Sequence, residues 1–262
     1  MFETKYQWID PSVHSLLTTA GLLDLQAVSR RAFDWFEEPN QRRGGWSGVT
    51  RIVLNPSAPE AEQKIVFLKI QQNHFYRAPS TCFRKRLSFI REFEALQALR
   101  SQAQLAPKLL LFAHWTENGN QGALIITESL EHWQAFDSWL KQLDSTETAN
   151  AEAIQHALSA IAATTRALHQ AGWAHFGFYP KHAFIRADSN GGYQARLIDL
   201  EKARRPLFKK QSIIEDVSRF LRHAKRLTQA QKTYYLHEYF QTSTFSPAQR
   251  KLISQMKGVA TI

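Results

Sequence analysis

Cysteine is almost absent from the chain: Cys82 is the only one in 262 residues. That excludes an intrachain disulfide framework and a CxxC-type zinc site. Within "STCFRKR", Cys82 itself reads as a small semi-polar filler, with no neighbouring pattern to activate a thiolate. Long apolar runs are missing too. "LLLFA" and "ALII" fall far short of the ~18–20 residues that a membrane span requires. The start, "MFETKYQWID", has no basic region leading into an apolar one, so no signal peptide is expected. Neither an internal repeat nor a low-complexity tract occurs. A further absence is local: no Asp or Glu stands between Glu152 and Asp188. Together these gaps lead to the expectation of a soluble protein of a reducing compartment, the cytoplasm, without a transmembrane segment.

Apolar material is abundant, at 44% hydrophobic and 12% aromatic residues with seventeen Phe and seven Trp. This suffices for a sizeable core and argues against disorder. The length permits one large domain or two lobes of about 100–150 residues. The 33 Lys and Arg against 23 Asp and Glu give +10 at pH 7, a balance suited to nucleic acid, an acidic membrane surface or a phosphorylated glycolipid. The cations fall in short clusters: "RR" at 30–31 and 42–43, "RKR" at 84–86, "KARR" at 202–205 and "KK" at 209–210. Each cluster alone is an ordinary solvated face. None interleaves with aromatics as a base-stacking sheet would, and no zinc-finger or heptad pattern accompanies them, which disfavours nucleic acid.

Residues 1–40 carry apolar positions at roughly helical spacing, in "PSVHSLLTTAGL" and "DLQAVSRRAFDWF", and read as helical. "VTRIVL" and "KIVFLKI" read as strands joined by the turn-rich "NPSAPE". "FRKRLSFIREFEALQALRSQ" is a periodic helix, followed by strands in "APKLLLFAHW" and "QGALIITESL". Beyond residue 130 the pattern turns helical: "AFDSWLKQL", then a long helix through "TTRALHQA" stopped by Gly172. A strand pair, "HAFIRA" and "YQARLIDL", meets at the "DSNGG" turn. The rest reads as helical from "SIIEDVSRFLRHAKRL" to about residue 257. A β-rich half with one helix, then a helix-rich half with a small strand pair, implies two lobes flanking a cleft, with a hinge near "TESLEH".

"GWAHFGFYPKHAFI", residues 172–185, has the layout of a phosphotransferase catalytic loop, with Gly177 where such a loop needs its carboxylate. Phosphoryl transfer calls for a glycine turn over phosphates, a lysine on them, a metal-binding acid and a group that orients the acceptor hydroxyl. Such parts occur here in that chain order. "GGWSG" holds Gly44, Gly45 and Gly48, whose bare backbone suits close approach to phosphate, although an ordinary turn explains them equally. Lys69 closes the apolar "IVFLK", as a phosphate-pairing lysine or as a strand-end lysine reaching solvent. Glu92 and Glu94 both stand in the following helix, about 200° apart around it, so only one can face inward toward Lys69, and Glu92 is preferred. Asp199, after the strand in "RLIDLEKAR", suits a carboxylate aimed at Mg²⁺; a turn Asp is the alternative.

This constellation resembles the protein-kinase-like fold, and specifically the bacterial lipopolysaccharide core kinases of the WaaP/InaA type. "RRGGWSGVTRIVL", "VFLKI", "REFEALQAL", "LHQAGWAHFGFYPKHAFI" and "RLIDLEKAR" carry the resemblance across residues 40–220. It implies an α+β, bilobal protein-kinase-like fold, a β-rich N-terminal lobe over residues 1–128 and a mainly helical C-terminal lobe over 129–262. It also implies ATP and Mg²⁺ as cofactors: Lys69 on the phosphates, Glu92 anchoring it, and Thr127, Glu128 and Leu130 in the adenine-binding hinge. Asp199 is then the Mg²⁺ ligand, His182 stands at the second metal-side position, and Asp216 braces the catalytic-loop backbone, although a helix N-terminal Asp fits the same residue. His175 is implied as a structural histidine, Lys181 as a candidate phosphate contact, and His169 as a helix C-terminal cation.

The departure is Gly177. Active members read His-x-Asp there, with the metal-side residue five positions on; His175, Gly177 and His182 keep that register without the carboxylate. General-base terms are worth ~10²–10⁴-fold, whereas a loose transition state leans on metal, lysine and backbone. Two readings stand. One is an ATP-dependent kinase of a lipopolysaccharide core sugar, acting on a phosphorylated glycolipid or other anionic substrate at the cytoplasmic face of the inner membrane. Lys202, Arg204 and Arg205 would meet that substrate. The other is a pseudokinase used for binding or regulation. A small-molecule phosphotransferase of the aminoglycoside or choline type is disfavoured, because such enzymes also depend on the missing Asp.

Overall fold

Period-two alternation governs the N-terminus of the computed structural model, which describes residues 1–42, 44–77, 82–102, 104–143 and 148–259. Arg43, one half of a basic pair, lies outside them. Phe2, Thr4, Tyr6 and Trp8 alternate with Glu3, Lys5 and Gln7, a pattern that suits a pleated strand. β1 (Phe2–Ile9) accordingly pairs antiparallel with β7 (Leu109–Glu117). The helical reading of residues 1–40 is thus corrected. Only α1 (His14–Thr19) and α2 (Leu25–Arg30) are α-helical there, and β2 (Glu37–Arg42) closes the stretch as a strand.

The chain divides into two compact units, Met1–Arg100 with Pro107–Glu131, and Ser101–Ala106 with His132–Ile262. The first is built on an antiparallel six-stranded sheet in the order β1-β7-β8-β4-β3-β2, completed by β3 (Gly45–Val53), β4 (Ile65–Gln72) and β8 (Asn120–Glu128). One face packs Val66, Leu68, Ile70, Leu124 and Ile126 against Leu17, Leu22, Leu25 and Val28 of the α1–α2 segment. On the other face of β4, Lys69 and Gln71 meet Glu92 and Ser88 of α3 (Ser88–Ala98), and Phe93 of that helix stacks on Phe112 with ring centroids 4.2 Å apart. The short strands β5 (Phe75–Tyr76) and β6 (Arg86–Leu87) precede α3 as a pair.

The second unit is mainly helical. It holds α4 (Phe136–Gln142), α5 (Thr148–Gln170), α6 (Lys209–His223), α7 (Gln229–Phe240) and α8 (Pro247–Ile253). A three-stranded sheet β11-β10-β9 joins β9 (Gln134–Ala135), β10 (Ala183–Ala187) and β11 (Tyr193–Leu197). The C-terminal run is helical as expected, in α6, α7 and α8, the last of which ends at Ile253. α7 and α8 each start on a capping box, Thr228 with Gln231 and Ser246 with Gln249, which fixes where each helix begins. Buried Phe136, Phe178, Phe220 and Tyr235 form an aromatic stack, with Phe178 and Phe220 at 4.8 Å.

Candidate functional site

In the first unit, Lys69 lies inside β4 and does not end it, since the strand continues through Gln72. On the α3 side its Nζ meets Glu92 Oε1 at 2.7 Å, and Glu92 is almost fully buried. Glu94 points elsewhere and pairs with Arg86 at 2.9 Å on the exposed side. The helical geometry that separated the two glutamates thus has one outcome. A buried ion pair adds little to stability, so what this one supplies is a fixed position for the ammonium. Beside it, the Ser88 hydroxyl donates to buried Gln71 and lies 2.9 Å from His74 Nδ1, a polar neighbourhood that no single motif announces.

The three glycines of "GGWSG" serve three local purposes. Gly44 is exposed and adopts φ +77°, which turns β2 into β3. A Cβ on Gly45 would lie 2.4 Å from the Asn73 backbone, and one on Gly48 would lie 2.5 Å from the Trp35 ring. Packing alone therefore requires glycine at 45 and 48. In the segment Thr127–Leu130, the Glu128 amide donates to the Lys108 carbonyl, and the Glu128 carboxylate accepts from the Lys108 amide at 2.9 Å. The Ser129 amide donates to Ile65. Thr127 and Leu130 are buried.

In the second unit, the loop after α5 is tied at several points. Asp216 is fully buried mid-way along α6, so it does not open a helix. Its carboxylate accepts from the His175 amide at 2.6 Å and the Phe176 amide at 2.8 Å. A third partner is His169 Nε2 at 3.2 Å, placed by the last turn of α5 as the helix-end reading expects. Its side chain is buried between Asp216 and the Tyr239 hydroxyl. The His175 ring donates from Nε2 to the Ile198 carbonyl at 3.0 Å, leaving Nδ1 buried and without a partner among the described residues. Burial depresses the His175 pKa, so the ring is neutral. Its lone pair has no solvent contact, which rules it out as a base for an outside hydroxyl. Phe178, which the motif reading passed over, anchors the loop in the aromatic stack; the alternation of apolar residues at 176 and 178 was its only signal.

Gly177 is buried, and its carbonyl accepts from His182 Nδ1 at 2.7 Å. His182 Nε2 then faces Asp199 Oδ2 at 3.3 Å. Burial pushes the imidazole pKa down to about 4 against the pull of Asp199, so at neutral pH two acceptors, a lone pair and a carboxylate oxygen, confront each other. Asp199 adopts a left-handed conformation (φ 59°, ψ 56°) ahead of the turn Leu200–Lys202, with its side chain nearly half exposed. For a non-glycine residue this backbone is uncommon, although Asp adopts it more readily than most. Lys181 is exposed in the turn before His182.

The family model described as "Lipopolysaccharide kinase (Kdo/WaaP) family" matches residues 26–239. Protein InaA of Escherichia coli (strain K12) is 26% identical over 206 residues, covering 77% of this chain and 90% of that protein. The solved structure of WaaP in complex with acyl carrier protein matches with a TM-score of 0.62 at 16% identity, over 95% of this chain and 92% of that one. That likeness shows the fold: the α+β, bilobal, kinase-like architecture expected from the order of the motifs is the architecture of this protein. The chain belongs to the lipopolysaccharide kinase (Kdo/WaaP) family.

Proposed function

We propose that the protein binds ATP with a divalent cation and transfers its terminal phosphoryl group to a hydroxyl of a lipopolysaccharide core sugar, without a loop carboxylate as base. The observation that carries the reading is the His182–Asp199 pair. With Nδ1–H committed to Gly177, the Nε2 lone pair and the Asp199 carboxylate lie 3.3 Å apart, a spacing and a donor set that fit a shared cation. Magnesium sites commonly use one or two protein ligands and fill the rest with water and phosphate, so two donors suffice.

Bound metal-ATP supplies the phosphoryl group and the charge neutralisation that phosphoryl transfer requires. Lys69, held by Glu92, binds phosphate oxygens. Gly44 leaves the β2–β3 turn open to them, while Thr127, Glu128 and Leu130 form the adenine-side segment. Asp199 and His182 hold the cation. Lys181 meets acceptor-side phosphate. No side chain at position 177 takes the acceptor proton; it leaves late, to solvent water or to an oxygen of the transferred phosphoryl group. Turnover is therefore slow but finite.

Gly177 favours a second reading, a pseudokinase whose nucleotide site serves binding or regulation. Thermal melting with and without Mg-ATP tests the nucleotide site. A stabilisation present in wild type and lost in Lys69→Ala and Asp199→Ala supports both readings, and no shift in wild type sinks both. Transfer of labelled phosphate to core oligosaccharide then separates them: incorporation that Asp199→Ala abolishes supports the kinase, and nucleotide binding without incorporation supports the pseudokinase.

A further inference from the structure

Residues 202–210, "KARRPLFKK", hold five cations in nine positions, with no acid between Glu201 and Glu215. At the centre of this segment Leu207 is 93% exposed and Phe208 77% exposed. Scattered apolar surface is normal, but two adjacent large side chains held this far into water, just after Pro206, make a projecting tip. Its base is fixed on both sides. Arg204 and Ala174 exchange backbone hydrogen bonds at 3.0 and 3.1 Å. The Arg204 guanidinium stacks 3.4 Å from the Phe176 ring centroid, and Arg205 stands 5.7 Å from that of Trp173. On the far side, Lys209 begins α6.

We propose that this segment is a membrane anchor. Leu207 and Phe208 enter the interfacial layer of an anionic phospholipid bilayer, while Lys202, Arg204, Arg205, Lys209 and Lys210, all exposed, bind its headgroup phosphates. A soluble polyanion would satisfy the cations and leave the apolar tip in water. A bilayer surface satisfies both, because interfacial binding adds apolar burial to attraction by anionic lipid. Arg204 stacks on Phe176, the residue before Gly177, so the anchor and the catalytic-like loop are one connected piece. Docking at Leu207 and Phe208 presents that loop to the headgroup layer. The inference rests on the exposed tip and its cations and is independent of phosphoryl transfer.

Co-sedimentation of the full chain, without nucleotide, with phosphatidylcholine vesicles lacking or containing phosphatidylglycerol tests it. Binding is expected only where phosphatidylglycerol is present. The double variant Leu207→Ser/Phe208→Ser should weaken it about tenfold or more. Lys209→Gln/Lys210→Gln should weaken it by about tenfold and reduce its salt sensitivity. In a Cys82→Ser background, an environment-sensitive fluorophore on Phe208→Cys should shift to the blue on vesicles and not in buffer. This readout holds even if a serine variant folds poorly. The proposal is overturned by an absence of vesicle binding, including the case where the chain binds heparin alone. It is equally overturned by binding that the serine variants leave intact with no blue shift, since the contact is then purely electrostatic.

Discussion

His182 gives its Nδ1 proton to the carbonyl of Gly177, 2.7 Å away. The bond fixes the tautomer and aims the Nε2 lone pair at Asp199. The residue that lacks a carboxylate therefore still orients His182, through its backbone. The bond uses the backbone of residue 177 and not a side chain.

Position 177 has room for a Cβ. A Cβ at 177 would lie 3.4 Å from His175 Nδ1 and 3.7 Å from Lys202 Cδ, ordinary contact distances. Gly177→Asp is expected to melt within a few degrees of wild type and to raise phosphoryl transfer by ~10²–10⁴-fold. Transfer rates on core oligosaccharide check this, and equal rates in the two proteins would mean that the absent base is not what limits turnover.

Glu92 and Glu94 should behave very differently. Glu92→Gln removes the buried partner of the Lys69 ammonium and is expected to cost about 1–3 kcal/mol in urea unfolding, a discounted figure because Lys69 is partly exposed. It should also abolish the Mg-ATP melting shift. Glu94→Gln, on the exposed Arg86 pair, should change stability by no more than about 0.5 kcal/mol and keep the shift.

Asp216→Asn preserves shape but sets an amide NH₂ against one of the groups that now donate to the carboxylate, the His175 and Phe176 amides and His169. A loss of about 2–4 kcal/mol is expected by denaturant titration. Amide hydrogen exchange at residues 175 and 176 should accelerate along with it. Unchanged protection there would refute the bracing role.

A nitrogen donor at His182 shifts the cation preference toward softer ions than a pair of carboxylates would select. Calorimetric ATP binding is expected to be tighter with Mn²⁺ than with Mg²⁺. His182→Ala should erase that difference, and Asp199→Ala should weaken binding with either ion. A preference that survives in His182→Ala would place the imidazole outside the metal shell.

Asp10 gives a pH signature. Burial raises its pKa, but the Ser12 hydroxyl and amide and the Lys108 ammonium outweigh that and lower it below the ordinary 3.8. A depressed carboxyl contributes stability that is fully present above its unfolded pKa and is lost as pH falls through the folded one. Asp10→Asn should therefore be less stable than wild type at neutral pH, with a gap that narrows below about pH 4. A gap independent of pH would assign the effect to shape alone.

The kinase-like order of parts was legible because each part has a local signature: a glycine turn, a lysine in an apolar strand, a periodic helix, and an Asp after a strand. Sequence patterning misled where two periods compete. Residues 2–9 alternate as a strand, but the helical spacing that begins at Pro11 drew them into the same reading. The sequence also could not say why glycine stands at 45 and 48. The reasons, the Asn73 backbone and the Trp35 ring, come from segments distant along the chain.

By itself the sequence determined which candidate residues are present and in what order: Lys69, two glutamates, His175, Gly177, His182 and Asp199. Tertiary structure alone decided their states. It seated Glu92 on Lys69 and sent Glu94 to Arg86, because the two diverge around one helix. It buried His169 against Asp216 and neutralised His182 opposite Asp199, because burial and partner geometry, not residue type, set a side chain's charge and direction.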